Sequence, residues 1–356
     1  LVVLLLPDRR FIGQDARIRR PEGQSIIRGS RVVRIGRIVL LAALGILGMA
    51  HFVAAQPATR TVTIGLLAVA GIEGPAPAFV EALSRLGYHD GQNLAILFRS
   101  ARDSHAELPK LAVELVSLEP DVLVAMGTPP SLALKEATAS IPIVMLNTGN
   151  PVATGLVQSL ARPGGNVTGT SNAVEEWAAK RLQMVTEMLP GIRCMLYLRN
   201  PENPSIMLSG SLVRAREKLN IELDTIDAAT PEQLDRALAA PFDERCKAAL
   251  FLPLDGLFVA RRAQIAEFAL RQKIALFAPF RADAEAGALV AYGVDIDDQW
   301  RIGAAYVDKI LKGAKPADLP VQEPTKFDLV VNARTARTLG LTIPQWMLVN
   351  ADKVIE

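Results

Sequence analysis

Histidine, cysteine and aromatic side chains are scarce in this chain of 356 residues: it has three His, two Cys, and 11 Phe, 4 Tyr and 3 Trp. Each scarcity removes a class of chemistry. The histidines (His51, His89 and His105) form no HxxxH or HExxH pair, so no zinc-enzyme ligand set is present. Cys194 and Cys246 lie too far apart for a CxxC metal or redox motif. No GxSxG elbow offers a serine nucleophile, and no GxGxxG or GxxxxGK[ST] loop cradles a nucleotide. So few aromatics provide no base-stacking platform. These absences argue against an enzyme and imply no metal and no cofactor.

Charge of one sign is also lacking once the chain is divided. The whole carries a formal +2, from 39 Lys and Arg against 37 Asp and Glu. Residues 1–55 hold nine of the Arg (9, 10, 17, 19, 20, 28, 31, 34 and 37) and three acids (Asp8, Asp15 and Glu22). That leaves 30 basic against 34 acidic residues in the body. A mildly acidic body offers no basic face to nucleic acid, so no nucleic-acid partner is expected.

Long apolar runs are missing too. The longest uncharged one, Ile38 to Met49, is short for a span of about 20 residues. Arg31, Arg34 and Arg37 precede it, and the small residues Ala54-Ala55 follow it before Gln56-Pro57. The pattern over 31–55 is that of a secretory signal peptide cleaved after Ala55; the alternative is a retained anchor helix. Residues 1–30 lie upstream of any normal leader and read as an over-extended start. No Cys follows the apolar run to take a lipid, so the expected mature protein is soluble and exported to the periplasm. Export permits oxidation of Cys194 and Cys246.

From Thr61 onward, short apolar runs alternate with helical stretches. Strands are expected at 61–67, 93–99, 121–127, 141–147 and 166–171, with helices near 75–87, 104–118 and 130–139. The pattern restarts with a helix at 174–189 and strands at 194–198, 221–227, 247–253 and 274–280, separated by helices near 204–219, 231–240 and 257–271. This is βαβ repetition and implies two successive doubly wound halves with parallel sheets. A further strand at 288–294, a helix at 298–312 and a Pro-broken segment at 316–331 form a tail long enough to pass over both halves.

In such sheets ligands bind beyond the carboxyl ends of the strands. Four clusters of small polar residues stand there: Gly127-Thr128-Pro129-Pro130-Ser131, Asn147-Thr148-Gly149-Asn150-Pro151, Asn200-Pro201-Glu202-Asn203 and Asp255-Gly256. Each one alone reads equally well as a turn or a helix cap. The first opens a helix whose free N–H groups favour a carboxylate. His89 falls in a helix-to-strand turn, away from this edge. His105 follows a strand at the ligand edge, but surface frequencies favour a solvated loop histidine.

Three stretches carry a family resemblance: FVEALSRLGYHDGQNLAILFR (79–99), GTPPSLALKEATASIPIVMLNTGNPVATGLVQSLARPGGNVTG (127–169) and AAYVDKILKGAKPADLPVQEPTKFDLVVNARTARTLGLTIP (304–344). Together they resemble the periplasmic substrate-binding proteins of ABC transporters, in the family with tryptophan- and tyrosine-binding members. The resemblance implies an α/β fold of the type I binding-protein kind, two Rossmann-like lobes joined by three crossovers. It implies a first lobe of 57–172 plus about 281–316 and a second of 173–280 plus about 317–356. It also implies capture of a small ligand, an amino acid or related carboxylate, for a membrane permease and its ATPase. Thr128, Ser131 and Asp255 match the family's ligand positions, and the equivalents of Asn150 and Asn200 border the ligand. Phe258, Phe280 and Tyr292 are candidates for the apolar part of the pocket. Trp177 stands where many relatives have a small residue. A periplasmic sensor, presenting the same solute to a receptor, would share these features; a cytoplasmic repressor would need a helix-turn-helix before residue 61.

The two cysteines each precede a strand. With strand order 2-1-3-4 in the second half these strands are neighbours, about 4.8 Å apart and within reach of a bridge. A one-residue slip would point the side chains apart, leaving two buried thiols instead.

Overall fold

The computed structural model describes residues 60–69, 74–102, 104–204 and 210–356. The expected leader, 31–55, lies outside the described residues. Arg60–Glu356 forms one compact unit. Its elements run β1 (Val62–Ala68), α1 (Pro77–Arg85), β2 (Leu94–Ser100), α2 (Leu108–Ser117), β3 (Val122–Met126), α3 (Thr128–Ala137), β4 (Ile143–Thr148), β5 (Val167–Ser171) and α4 (Val174–Met188). They continue with β6 (Cys194–Arg199), α5 (Gly210–Leu219), β7 (Glu222–Asp227), α6 (Pro231–Ala239), β8 (Ala249–Phe251), α7 (Gly256–Ala260), α8 (Arg262–Arg271), β9 (Ala275–Ala278) and α9 (Arg281–Glu285). The last are β10 (Val290–Val294), α10 (Ile296–Leu311), β11 (Phe327–Asn332), α11 (Ala333–Leu339), α12 (Gln345–Asn350) and β12 (Lys353–Ile355).

Among the described residues two sheets result, ordered β2-β1-β3-β4-β5 and β12-β11-β10-β9-β8-β6-β7. Every pairing is parallel except β10 with β11. The strands are apolar throughout because helices cover both faces. In the first sheet Leu67, Leu123, Ala125, Ile143 and Met145 pack on the α2–α3 side. Their neighbours Ile64, Leu66, Val124, Val144 and Leu146 face α1 and α10. The two-residue period of a strand thus feeds two separate cores. In the second sheet Tyr197, Phe251 and Phe277 point one way, and Leu196, Leu250 and Leu276 the other.

The tail divides differently from the sequence expectation, which gave 281–316 to the first lobe. β10 pairs with β9 and β11 and so belongs to the second sheet. Only α10 packs on the first: Trp300 lies 5.4 Å from Phe79 between ring centroids, and an added Cβ at Gly303 would stand 2.6 Å from Leu146. The chain therefore leaves the first sheet after Ser171, returns at Asp295 and leaves again after Gln322, which bridges Thr170 at the edge of β5. Helix 257–271 is also interrupted, at Arg261, between α7 and α8.

Cys194 and Cys246 form a disulfide, with Cα atoms 4.4 Å apart. β6 and β8 are neighbours as expected, and Cys246 lies in a short 3-10 turn just ahead of β8. No described helix is long and apolar enough to cross a membrane.

Candidate functional site

A cavity of about 550 Å³ lies between the two sheets, beyond the carboxyl ends of their strands. From the first come Met126, Thr128, Pro129, Asn147 and His105; from the second come Leu254, Asp255, Val259, Arg262 and Phe280. Trp300 of α10 adds an aromatic wall.

Of the six residues singled out in the sequence, Thr128, Asp255 and Phe280 line this cavity, whereas Ser131, Asn150 and Asn200 do not. Thr128 is buried, and its Oγ1 accepts a hydrogen bond from the Gly149 amide at 3.0 Å, tying the two polar turns of the first sheet together. Ser131 donates back to the Gly127 carbonyl at 2.7 Å. Pro129 and Pro130 have no N–H, and the Ser131 amide reaches Gly127 at 3.3 Å. This first turn therefore offers an anion at most one amide, that of Thr128, fewer than an ordinary helix start. Gly127, at φ +90°, makes the turn into α3 possible. The Asn150 carbonyl accepts from the backbone and hydroxyl of Thr154.

Asn200 holds Asp255 rather than the cavity. Its Nδ2 donates to both carboxylate oxygens at 3.2 Å, and Asn203 Nδ2 adds a bond of 2.8 Å. The Leu257 amide completes the set at 3.0 Å, making Asp255 the N-cap of α7. All these donors are neutral. The carboxylate is 0% exposed and has one ion-pair partner among the described residues, His105 Nε2, 3.8 Å away across the cleft.

His105 is thus not the solvated loop histidine that surface frequencies favoured. It is buried, and neither ring nitrogen has a hydrogen-bond partner. Asn147 Oδ1, on the same wall, is likewise buried and unpaired. Phe258 sits in the core behind α7, and Tyr292 stacks on Phe327, so neither joins Phe280 in the cavity wall.

Behind the second wall lies a charge that the sequence did not disclose. Arg181 is fully buried, its guanidinium 4.8 Å from the Trp177 ring centre and 4.1 Å from that of Phe251. Desolvation lowers it to about 9, partly offset by Tyr197 and Asp283. It donates to the Leu252 carbonyl at 2.6 Å and so braces the segment that carries Asp255. Trp177, one turn earlier, donates to the Asn172 carbonyl at the first crossing between the sheets. Burial pushes Asp283 up to about 6, against the pull of Arg262, whose Nε is 3.4 Å away. Asp283 accepts from the Phe280 amide at 2.8 Å and fixes the start of α9.

A family model described as ABC transporter substrate binding protein matches residues 71–355. The chain belongs to that family. This is a family of binding proteins, not of enzymes. A tyrosine-binding protein from Clostridioides difficile (strain R20291) is 29% identical over 265 residues, covering 74% of this chain and 75% of the relative. A conserved domain protein from Vibrio cholerae O1 biovar El Tor superposes with a TM-score of 0.75 at 28% identity, over 83% of this chain and 100% of that one. The ABC domain in complex with L-Trp from Streptococcus pneumoniae gives 0.73 at 24% identity, over 83% and 100%, and bears on the fold alone. The solved structures are type I periplasmic binding proteins, and the two mostly parallel sheets here share that architecture.

In this ABC transporter substrate-binding protein the lobes meet closely beside the cavity. A Cβ at Gly256 would stand 2.6 Å from Val69 Cβ and 2.8 Å from its Cγ1. Val69 has no flexible end to move aside. Gly256→Ala is therefore expected to oppose closure by about 1–3 kcal/mol, a loss of about 5- to 150-fold in ligand affinity. Titration with ligand reads that loss, and an unchanged melting temperature of the free protein assigns it to closure.

Proposed function

We propose that this protein captures an amino acid in the interlobe cavity and delivers it to an ABC importer, aromatic amino acids being the leading candidates. One observation carries the reading: the cavity between the sheets has a hydroxyl-and-amide turn at Thr128 on one wall and a buried carboxylate, Asp255, on the other. An amino acid bridges them, its carboxylate toward Thr128 and its ammonium toward Asp255. Met126, Val259, Phe280 and Trp300 offer apolar surface to a side chain, in keeping with the tyrosine-binding relative. Ser131, Asn150 and Asn200 act from behind, by holding the two turns and Asp255. The lobes that close are 60–171 with 296–322 and 174–294 with 323–356. A ligand that touches both favours the closed state by its differential affinity. The permease and its ATPase are the partners, and the leader at 31–55 sends the protein to the periplasm.

A thermal-shift screen of the twenty amino acids on exported protein tests this, with N-terminal sequencing to read the cleavage after Ala55. A ligand at one hundred times its dissociation constant adds about 2.7 kcal/mol of stability. A flat profile across the panel would overturn the amino-acid reading.

A further inference from the structure

Among the described residues, Asp255 has no Lys or Arg ion-pair partner. Its four hydrogen bonds come from two Asn side chains and one backbone amide, all uncharged. A fully buried carboxylate needs a cation nearby. Its one ion-pair partner among the described residues is His105, on the opposite lobe, whose Nε2 stands 3.8 Å from Asp255 Oδ2. That gap exceeds a hydrogen bond of about 2.7–3.2 Å. Both ring nitrogens are buried and unpaired, and the ring lines the cavity. A histidine in this state is costly unless something enters to satisfy it.

We infer that His105 is a ligand-binding residue: with Asp255 it forms a two-sided seat for a primary ammonium, and it selects ligands that carry one. The inference rests on the amino-acid reading above and adds His105 to it. Among ligand groups the chemistry favours one occupant; a water molecule donates to both acceptors but leaves the carboxylate's charge uncompensated. An anion would face the Asp255 carboxylate. An apolar group would leave His105 desolvated and the carboxylate uncompensated. A single hydroxyl has one proton and can donate to one of the two acceptors only. A primary ammonium has three N–H groups, so one nitrogen about 2.8 Å from each acceptor donates to both and supplies the missing positive charge. In this seat His105 accepts from the ammonium at Nε2. Because His105 and Asp255 belong to different lobes, the same ammonium also links them.

The test is a comparison of two probe types across three forms of the protein. L-Tyrosine and L-tryptophan carry the ammonium; 3-(4-hydroxyphenyl)propanoate and 3-(indol-3-yl)propanoate are their counterparts without it. His105→Leu removes the acceptor, and His105→Gln restores one of comparable reach. The expected result for His105→Leu is a roughly 10- to 100-fold loss of affinity for the amino acids. The propanoates lack the group that His105 would meet, so their affinity should change by less than about twofold, and His105→Gln should recover part of the loss. In the wild-type protein the His105 ring nitrogens should shift in imidazole ¹H–¹⁵N spectra on adding the amino acid. His89, an exposed residue with Nδ1 3.1 Å from Ser84 Oγ, serves as the fixed reference. Wild-type binding that His105→Leu leaves intact, or an equal loss for both probe types, would overturn the inference while the amino-acid reading stands. Failure of the wild-type protein to bind either amino acid would overturn both.

Discussion

Asp255→Asn should weaken binding of L-tyrosine or L-tryptophan by about 3–5 kcal/mol, or about 160- to 5,000-fold, because it leaves a buried ammonium without its charged partner. The substitution keeps size and shape, so the measurement isolates charge better than truncation would. It also has a local cost. Asp255 accepts from Asn200, Asn203 and the Leu257 amide, and an amide there turns one acceptor oxygen into a donor facing other donors. Loss of a helix cap alone costs about 0.5–2 kcal/mol and appears in the stability of the free protein, not in its affinity. The two roles are therefore separable by magnitude and by observable. A large affinity loss with a small drop in melting temperature identifies a ligand contact. Unchanged affinity with a lower melting temperature would reduce Asp255 to the cap of α7.

The fold was readable to the extent that burial is two-sided. Strands such as β3 and β4 are covered on both faces, so they appear in the sequence as short unbroken apolar runs between helical stretches. The position of β10 was not readable, because AYGV would fit an edge place in either sheet; hydrogen bonds to β9 and β11, remote in sequence, decide it. Thr128 and Asp255 were found because strand ends in an α/β sheet are a topological address for ligands. His105 occupies the same address, after β2, but its nearness to Asp255 comes from the opposite lobe, remote in sequence. No local pattern encodes that. Arg181 is different. Its i,i+4 spacing from Trp177 was visible, and an aromatic one turn before an arginine is a place where the guanidinium can stack rather than extend into water. Ser131 shows the opposite limit: a hydroxyl in the first turn of a helix can face a ligand or return to its own backbone, and here it returns to Gly127.

The second large effect belongs to the disulfide, and it should act on stability without touching binding. Cys194 and Cys246 close a loop of sequence separation 52. Opening that loop in the unfolded chain forfeits about 4 kcal/mol in the chain-entropy model. For a domain whose whole stability is about 5–15 kcal/mol, this is a quarter or more of the total. Both residues are buried in the core on one face of the second sheet. Cys194 opens β6 and Cys246 precedes β8, so the bridge joins the amino ends of these strands. Asn200 and Asp255 follow their carboxyl ends, the length of the strand away. The double variant Cys194→Ala/Cys246→Ala should therefore unfold at lower urea concentration, with a slope equal to or steeper than wild type because the uncrosslinked chain exposes more surface, and with ligand affinity within about twofold of wild type. Reductant should destabilise the wild-type protein by a similar amount and leave the variant unaffected. Thiol titration of unfolded, unreduced protein supplies the direct check, since two free thiols per chain would show that the bridge does not form. A bridge confirmed by titration but with no effect on the urea midpoint would mean that the reduced chain stays compact around β6 and β8, so that the entropy expected from opening the loop is never released.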